Sequence, residues 1–289
     1  AWPIGSAQSE RETAMVPGNP HMPWHDLYRG FEQHVVVDEA WRYGAALVGM
    51  PFAGFGFNEH LGWTHTVNTY YGYTLYELAL DDDGYQLDGG TKPFETHEET
   101  IRVRRTDGSI TDEVLTVRRS AHGPVIATKP GAALALRVAG LDRPGVLDLW
   151  DDFAHAASLE EFESVVKRMD LPGFNVVYAD RDGNVMEHFG GLPPIRPEGD
   201  FAFWSRPVPG DRVDLIWRDY HGFNDLSHVV NPESGWVASG GVRPAGSRGG
   251  GVGDGAAGID RVAVSEACAT RPPRATRTAS ASFRDELRS

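Results

Sequence analysis

Apolar and polar positions alternate with a period of two over much of the chain. Residues 73–80, 100–105, 113–118, 124–128 and 174–179 each read as strands on this pattern, because successive side chains of an extended backbone face opposite sides of a sheet. Asp107-Gly108 and Asp182-Gly183 fall between such runs and suit the positive backbone angles of tight turns. One stretch changes period. Over residues 159–169, Leu159, Phe162, Val165, Val166 and Met169 fall on one helical face, and Ser158 followed by Glu161 forms a capping-box pattern at its start. The pattern predicts a sheet-rich body with one main helix and no internal repeat.

Composition divides the chain near Ala238. Residues 239–289 hold eight arginines, no lysine, five acids and a single aromatic residue, Phe283, for a formal charge of +3, which leaves −17 on residues 1–238. Nine glycines between residues 239 and 258, and no apolar period in residues 271–282, leave this tail too little apolar surface to offset the entropy of ordering. It reads as a disordered Gly/Arg/Ala/Pro-rich tail, either a natural extension or the product of a reading-frame shift. The whole chain of 289 residues carries −14. That charge argues against a nucleic-acid partner, which requires clustered Lys and Arg. Cys268 is the only cysteine, so neither an internal disulfide framework nor a cysteine-based zinc site is expected. No apolar run reaches the roughly eighteen residues needed for a membrane span, and residues 1–20 lack the basic-then-apolar layout of a secretory signal.

Candidate chemistry lies in short motifs. Ala1-Trp-Pro-Ile-Gly5, Gly18-Asn-Pro-His-Met-Pro-Trp24, residues 49–58, Gly62-Trp-Thr-His-Thr-Val67, residues 174–184 and Asn231-Pro-Glu-Ser-Gly-Trp-Val237 occur in this order. Together they resemble the β chain of the penicillin acylase family over residues 1–238, nearest the branch acting on acyl-homoserine lactones and lipopeptides. The resemblance implies an α+β fold, part of a four-layer αββα N-terminal nucleophile hydrolase sandwich. It implies hydrolysis of a linear amide to a carboxylic or fatty acid and an amine. It also implies an α chain from the same precursor as partner, a small-molecule acyl amide as substrate, no cofactor, and a periplasmic or extracellular location.

In that family the nucleophile is a serine at the start of the β chain, whose α-amino group titrates near neutral pH and takes the hydroxyl proton. The match of Ala1-Trp2 sets this serine two residues ahead of Ala1. Ala1 has no hydroxyl, so the chain as written is expected to be inactive by itself. By the resemblance, His21 orients the terminal amine; on the residues alone it equally suits a loop histidine between Pro20 and Pro23. Val67 aligns with a backbone oxyanion donor, although an ordinary strand valine has the same geometry. His65 reads as support on the Val67 side of the strand, and Asn58 as a turn former. The second family donor is an asparagine, and its positions are held here by Gly241 and Val242, a departure that also argues against activity. Residues 68–75, which correspond to a calcium-binding run in penicillin-cleaving relatives, contain no carboxylate, so no metal is expected there.

Met22, Trp24, Phe52, Phe55 and Phe57, with Pro51, are candidate walls of an acyl pocket, and each aromatic suits a packed core equally well. Two other readings stand beside the acylase. One is a catalytically inactive, sheet-rich binding protein. The other is a metal site built from His21, His25, His60 and His65, which fall within 45 residues without the spacing of a known ligand pair.

Overall fold

The computed structural model describes residues 1–10, 13–19, 22, 25–68, 71–82, 84–171 and 173–239. In chain order, β1 (Gly30–Val37), β2 (Ala40–Leu47), β3 (Phe55–Asn58) and β4 (Leu61–Val67) come first. They are followed by β5 (Tyr73–Asp81), β6 (Gly84–Leu87), β7 (Gly90–Pro93), β8 (Glu95–Arg104), β9 (Ile110–Ser120), β10 (Gly123–Lys129) and β11 (Ala132–Val138). Helices α1 (Val146–His155) and α2 (Leu159–Val166) precede β12 (Phe174–Asp180) and β13 (Val185–His188). A short α3 (Phe201–Trp204), β14 (Val208–Pro209) and β15 (His228–Val230) complete the order.

Two sheets result. The first runs β1-β2-β3-β4-β12-β13-β15, and the second runs β7-β6-β5-β11-β10-β9-β8, with β14 added parallel to β5. Every other pairing is antiparallel. All five strands read from the alternation are present, most of them extended at one or both ends. The two Asp-Gly turns form as expected, with Gly108 and Gly183 at φ of 85° and 94°. Between β2 and β3 the backbones approach so closely that a Cβ on Gly44 would meet the Phe55 carbonyl oxygen and Ala53; only glycine fits that crossing.

Each sheet has its own core. Trp63, Val176, Tyr178 and Met186 on one face of the first sheet pack against Leu149 and Phe153 of α1 and Phe162 and Val166 of α2. Phe153 stacks on Phe162 with ring centroids 4.1 Å apart. The opposite face carries a small cluster of Ala179, Val185 and Val237, joined by Ala14, Val16 and Val229. Tyr76, Leu78, Tyr85, Leu192, Trp204, Leu215 and Trp217 form the core of the second sheet.

The helix expected over residues 159–169 is shorter than its apolar pattern. Ser158 caps it, its hydroxyl accepting from Glu161 N at 3.2 Å, while the Glu161 carboxylate reaches past Ser158 to accept from Ala157 N at 2.8 Å. The helix ends at Val166, and Met169 takes φ 57°. That left-handed residue ends the helical path, and the Met169 side chain packs against the core of the second sheet. Helix α1 carried no signal recognised in the sequence; its N-cap is Gly145, with no side-chain bond.

Candidate active site

The chain start is tied to the body by main-chain hydrogen bonds on both sides, through isolated bridges of Ile4 with Trp236 and Met15. Ala1 N donates to Ser239 O and Ser239 N to Ala1 O, both at 2.9 Å. Val237 N donates to Pro3 O at 3.2 Å and Gly5 N to Gly235 O at 2.8 Å. On its other side Ile4 exchanges two bonds of 2.9 Å with Met15. A proline at position 3 is compatible with this ladder because only its carbonyl is used there. Ser239, at the composition break, is therefore an integral part of the sheet body.

A polar cluster anchors this segment. Thr66 and Asn175 are cross-strand partners on β4 and β12, and both reach Ser239. The Thr66 and Ser239 hydroxyls lie 2.6 Å apart, and Asn175 Nδ2 donates to Ser239 Oγ at 3.0 Å and to Thr66 Oγ1 at 3.3 Å. Glu187 on β13 adds a carboxyl whose pKa is raised mainly by burial, against the opposing hydrogen bond from Ser239. Desolvation outweighs that hydrogen bond, so the Glu187 carboxyl is pushed toward its neutral form.

One residue beyond Thr66, the backbone of Val67 is aimed outward. Asn68 N donates to Gly173 O at 3.0 Å, and residues of an antiparallel ladder alternate in the side to which they bond. Val67 N–H therefore points away from β12, on the side where the pairing of β3 with β4, made through Gly56–Trp63 and Phe57–Gly62, has already ended. The Asn68 side chain ties the strand end down by donating to Gly190 O. Val67 is 68% exposed. A backbone donor fixed in this way can stabilise negative charge developing on a bound carbonyl oxygen.

The penicillin amidase family model matches residues 1–279. The chain belongs to the penicillin amidase family. It is 32% identical to the acyl-homoserine lactone acylase PvdQ of Pseudomonas fluorescens strain Pf-5 over 225 residues, which is 74% of this chain and 29% of that protein. It is 27% identical to the aculeacin-A acylase of Actinoplanes utahensis over 220 residues, covering 72% of this chain and 27% of that protein. Among solved structures, a thermostable penicillin G acylase from Alcaligenes faecalis superposes with a TM-score of 0.73 at 22% identity, over 87% of this chain and 45% of that one; this likeness concerns the fold. The chain spans under a third of the length of these curated relatives.

Within this family member, the residues singled out from sequence have different fates. His21 and Trp24 lie outside the described residues, as do Gly241 and Val242. Met22 and Phe52 are half-buried, Phe52 in the bend ahead of β3. Because Phe57 pairs with Gly62, Phe55 and Phe57 share the sheet face of Gly62, Thr64 and Thr66. Phe57 is level with Gly62, about 13 Å along β4 from Thr66. It packs instead on Trp41 and Tyr43, with centroids 5.8 and 5.5 Å away, in an aromatic strip that extends to His34. Phe55 is the nearer of the two to the cluster.

His65 faces the helices. Its Nε2 accepts from Trp150 Nε1 at 3.2 Å; the indole can only donate, so the ring proton sits on Nδ1. Burial holds its pKa down to about 4, and the neutral ring braces β4 against α1. Asn58 does more than form a turn. Its Oδ1 accepts from His60 N and Leu61 N at 2.8 and 2.9 Å, and its Nδ2 donates to Ala154 O and Ala156 O at 3.0 and 2.8 Å, strapping the turn to the end of α1. Among the described residues no three metal-ligating side chains converge, and His25 pairs with Asp26 at 2.9 Å.

Sequence reasoning passed over Thr66, Asn175, Glu187 and Ser239. Asn175 is a polar residue in the otherwise apolar start of β12, which is an available signal, whereas Thr66 stands beside Thr64 and His65 and is not distinguished from them. Glu187 and Ser239 had none, since their contacts are made across the sheet and at the chain start.

Proposed function

We propose that this chain is the β-chain portion of an acylase that hydrolyses a linear amide, releasing a carboxylic or fatty acid from an amine through an N-terminal serine two residues ahead of Ala1. The observation that carries the reading is the clamping of the chain start by Ser239, Thr66 and Asn175 next to the outward N–H of Val67. In a longer chain Ala1 N is an amide rather than an amine, and it makes the same donation to Ser239 O. The nucleophile then follows on directly from a fixed segment.

In this reading the serine α-amine accepts the hydroxyl proton as Oγ attacks the substrate carbonyl carbon. The oxyanion accepts a hydrogen bond from Val67 N–H. Collapse breaks the carbon–nitrogen bond, the amine leaves with the proton held by the α-amine, and water then hydrolyses the serine ester by the reverse proton path. His21 orients the amine, and Met22, Trp24, Phe52 and Phe55 are the acyl-pocket candidates, with Phe57 at their margin. An α chain from the same precursor, autocatalytic processing, a periplasmic or extracellular location and the completed four-layer sandwich belong to the same reading. The relatives named as acyl-homoserine lactone and aculeacin-A acylases support an acyl amide as the substrate class.

The test is expression of a precursor carrying an α segment, Ser-Asn ahead of Ala1 and a family-like C-terminus that restores the asparagine donor, followed by assay of free acid released from acyl-homoserine lactones and simple fatty amides. Processing at the serine with turnover, both lost on its change to alanine, supports the reading. A processed protein that cleaves no amide in the panel overturns it.

A further inference from the structure

Burial alternates along the chain start. Pro3 and Gly5 are buried and Ala1 is half-buried, whereas Trp2 is 61% exposed. The odd-numbered residues also make the main-chain bonds to residues 235–239: Gly5 N donates to Gly235 O at 2.8 Å, Pro3 O accepts from Val237 N at 3.2 Å and Ala1 O from Ser239 N at 2.9 Å. Extended backbone repeats every two residues, so a residue two ahead of Ala1 continues the inward side and the one between them the outward side. Which set faces inward depends on the register of these bonds.

Gly5 bears on that register by having no side chain. Its φ is −68° and its ψ 160°, a conformation open to every residue, so the glycine answers to space rather than to backbone conformation. A Cβ there would stand 3.0 Å from Gly235 O and 3.2 Å from Gly183 O, where carbon–oxygen contacts settle at about 3.3–3.6 Å. Both carbonyls belong to turns that are held in place. Asp180 Oδ1 accepts from Asp182 N at 3.0 Å and from Asn184 N at 2.8 Å around Gly183, and Gly235 N donates to Pro232 O at 2.8 Å. Asn231, just ahead of the second turn, ties it to the first: its Nδ2 donates to Asn184 Oδ1 at 2.8 Å and its Oδ1 accepts from Val185 N at 2.9 Å. The residues after Gly5 fit the same turns. Ser6 Oγ fills the space that a Gly183 side chain would take, and Gln8 Cγ lies 2.9 Å from the Cβ position of Gly235. A slip of one residue in either direction would bring Ile4 or Ser6, each with a Cβ, to the place of Gly5.

We infer that Gly5 is a positioning residue: its bare backbone, seated on the carbonyls of Gly183 and Gly235, fixes the register of the chain start and so turns the residue two ahead of Ala1 to the inward side, with Pro3 and Gly5. The consequence for turnover rests on the acylase reading, in which that residue is the nucleophilic serine; the consequence for register does not. A reacting group displaced by about 1 Å forfeits on the order of a hundredfold in rate, so Gly5 matters to the chemistry although it touches no substrate.

The experiment is amide hydrogen exchange on the full chain with Gly5→Ala and Gly5→Val, alongside kinetics of the processed precursor. In Gly5→Ala, exchange at the Val237 and Ser239 amides rises about tenfold or more, while amides of the β4–β12 ladder keep wild-type protection; Gly5→Val raises it further. In the precursor, Gly5→Ala lowers kcat about tenfold or more with KM nearly unchanged. Wild-type protection at Val237 and Ser239 in the folded variants, or loosened exchange with wild-type kcat in an active precursor, overturns the inference. If neither variant folds, Ser6→Ala and Gln8→Ala, which empty the spaces over Gly183 and Gly235 without adding an atom, decide instead: a smaller rise at the same two amides supports the inference, and wild-type protection in both overturns it. A wild-type precursor that cleaves no amide overturns the acylase reading, and leaves the exchange result to decide the register.

Discussion

Thr66 and Ser239 stand 173 positions apart in the chain, yet their hydroxyl oxygens are 2.6 Å apart. With Asn175 they join three separate segments: the end of β4, the start of β12 and the stretch that pairs with the chain start. Thr66→Val removes one hydroxyl and leaves its partners partly unsatisfied, so urea unfolding is expected to show a loss of about 1–2 kcal/mol. A double-mutant cycle with Ser239→Ala then gives a coupling of about 0.5–2 kcal/mol. Additive effects would mean that the contact does not hold the chain start.

Val67→Pro removes one backbone N–H and nothing from the β4–β12 ladder, because that N–H faces away from β12. Proline is tolerated at such a strand position. In the processed precursor kcat is expected to fall about a hundredfold or more, with thermal unfolding within a few degrees of wild type; Val67→Ala, which keeps the N–H, retains turnover. Equal turnover in the proline and alanine variants would remove Val67 from the site.

Asn58→Ala deletes four hydrogen bonds at once, two accepted within the turn and two donated to the end of α1. The expected cost is about 2–4 kcal/mol of stability, measured by urea denaturation. Asn58→Asp keeps the acceptors for His60 and Leu61 but turns a carboxylate oxygen toward the carbonyls of Ala154 and Ala156. It is expected to be destabilised as well, and more so as pH rises above the carboxylate range.

Three histidines held neutral make stability fall in mild acid, His65 beside Trp150 and two that are fully buried. His122 is fully buried between Tyr76 and Tyr85, and His188 is 1% exposed and stacked on Phe223. Neither ring nitrogen of either residue has a hydrogen-bond partner among the described residues. Burial first, with the charge of Arg137 second, lowers His122 to about 4, and burial first, with His228 second, lowers His188 to about 3. Unfolded, both titrate near 6.5. Their folded pKa values are depressed, so the stabilisation is complete above pH 6.5 and is lost as pH falls toward 4 and 3, because the unfolded chain binds the protons first. Each histidine contributes a slope of up to about 1.4 kcal/mol per pH unit in that window. Urea titrations from pH 7.5 to 4.5 are expected to show this slope, and His188→Phe to reduce it; an unchanged profile in that variant would show that His188 is not buried neutral.

Much of the local structure was legible in the sequence. The strands over residues 73–80 and 174–179 were visible because alternation survives wherever one face is buried, and the Asp-Gly turns because few residues adopt positive φ readily. The end of α2 was not. Met169 continued the apolar helical pattern, but apolar periodicity does not say which core a residue enters, and this one enters the core of the second sheet. Helix α1 was missed for the converse reason, since a glycine N-cap without a side-chain bond gives no start signal. Of the candidate site residues, Val67 stands in a motif visible in the sequence, whereas the packing of Phe57 on Trp41 and Tyr43 depends on strand register.

By itself the sequence determined the family, the sheet-rich body and the positions of individual strands and turns, because these depend on periodicity and on motifs contained in short stretches. Only the tertiary structure decided that Ser239 meets Thr66 and Asn175, that the Val67 N–H points out of its ladder, and that Gly5 lies against the carbonyls of Gly183 and Gly235. Those relationships depend on the register of strands distant in sequence. A one-residue shift of register would turn the same residues to the opposite face without altering any local pattern.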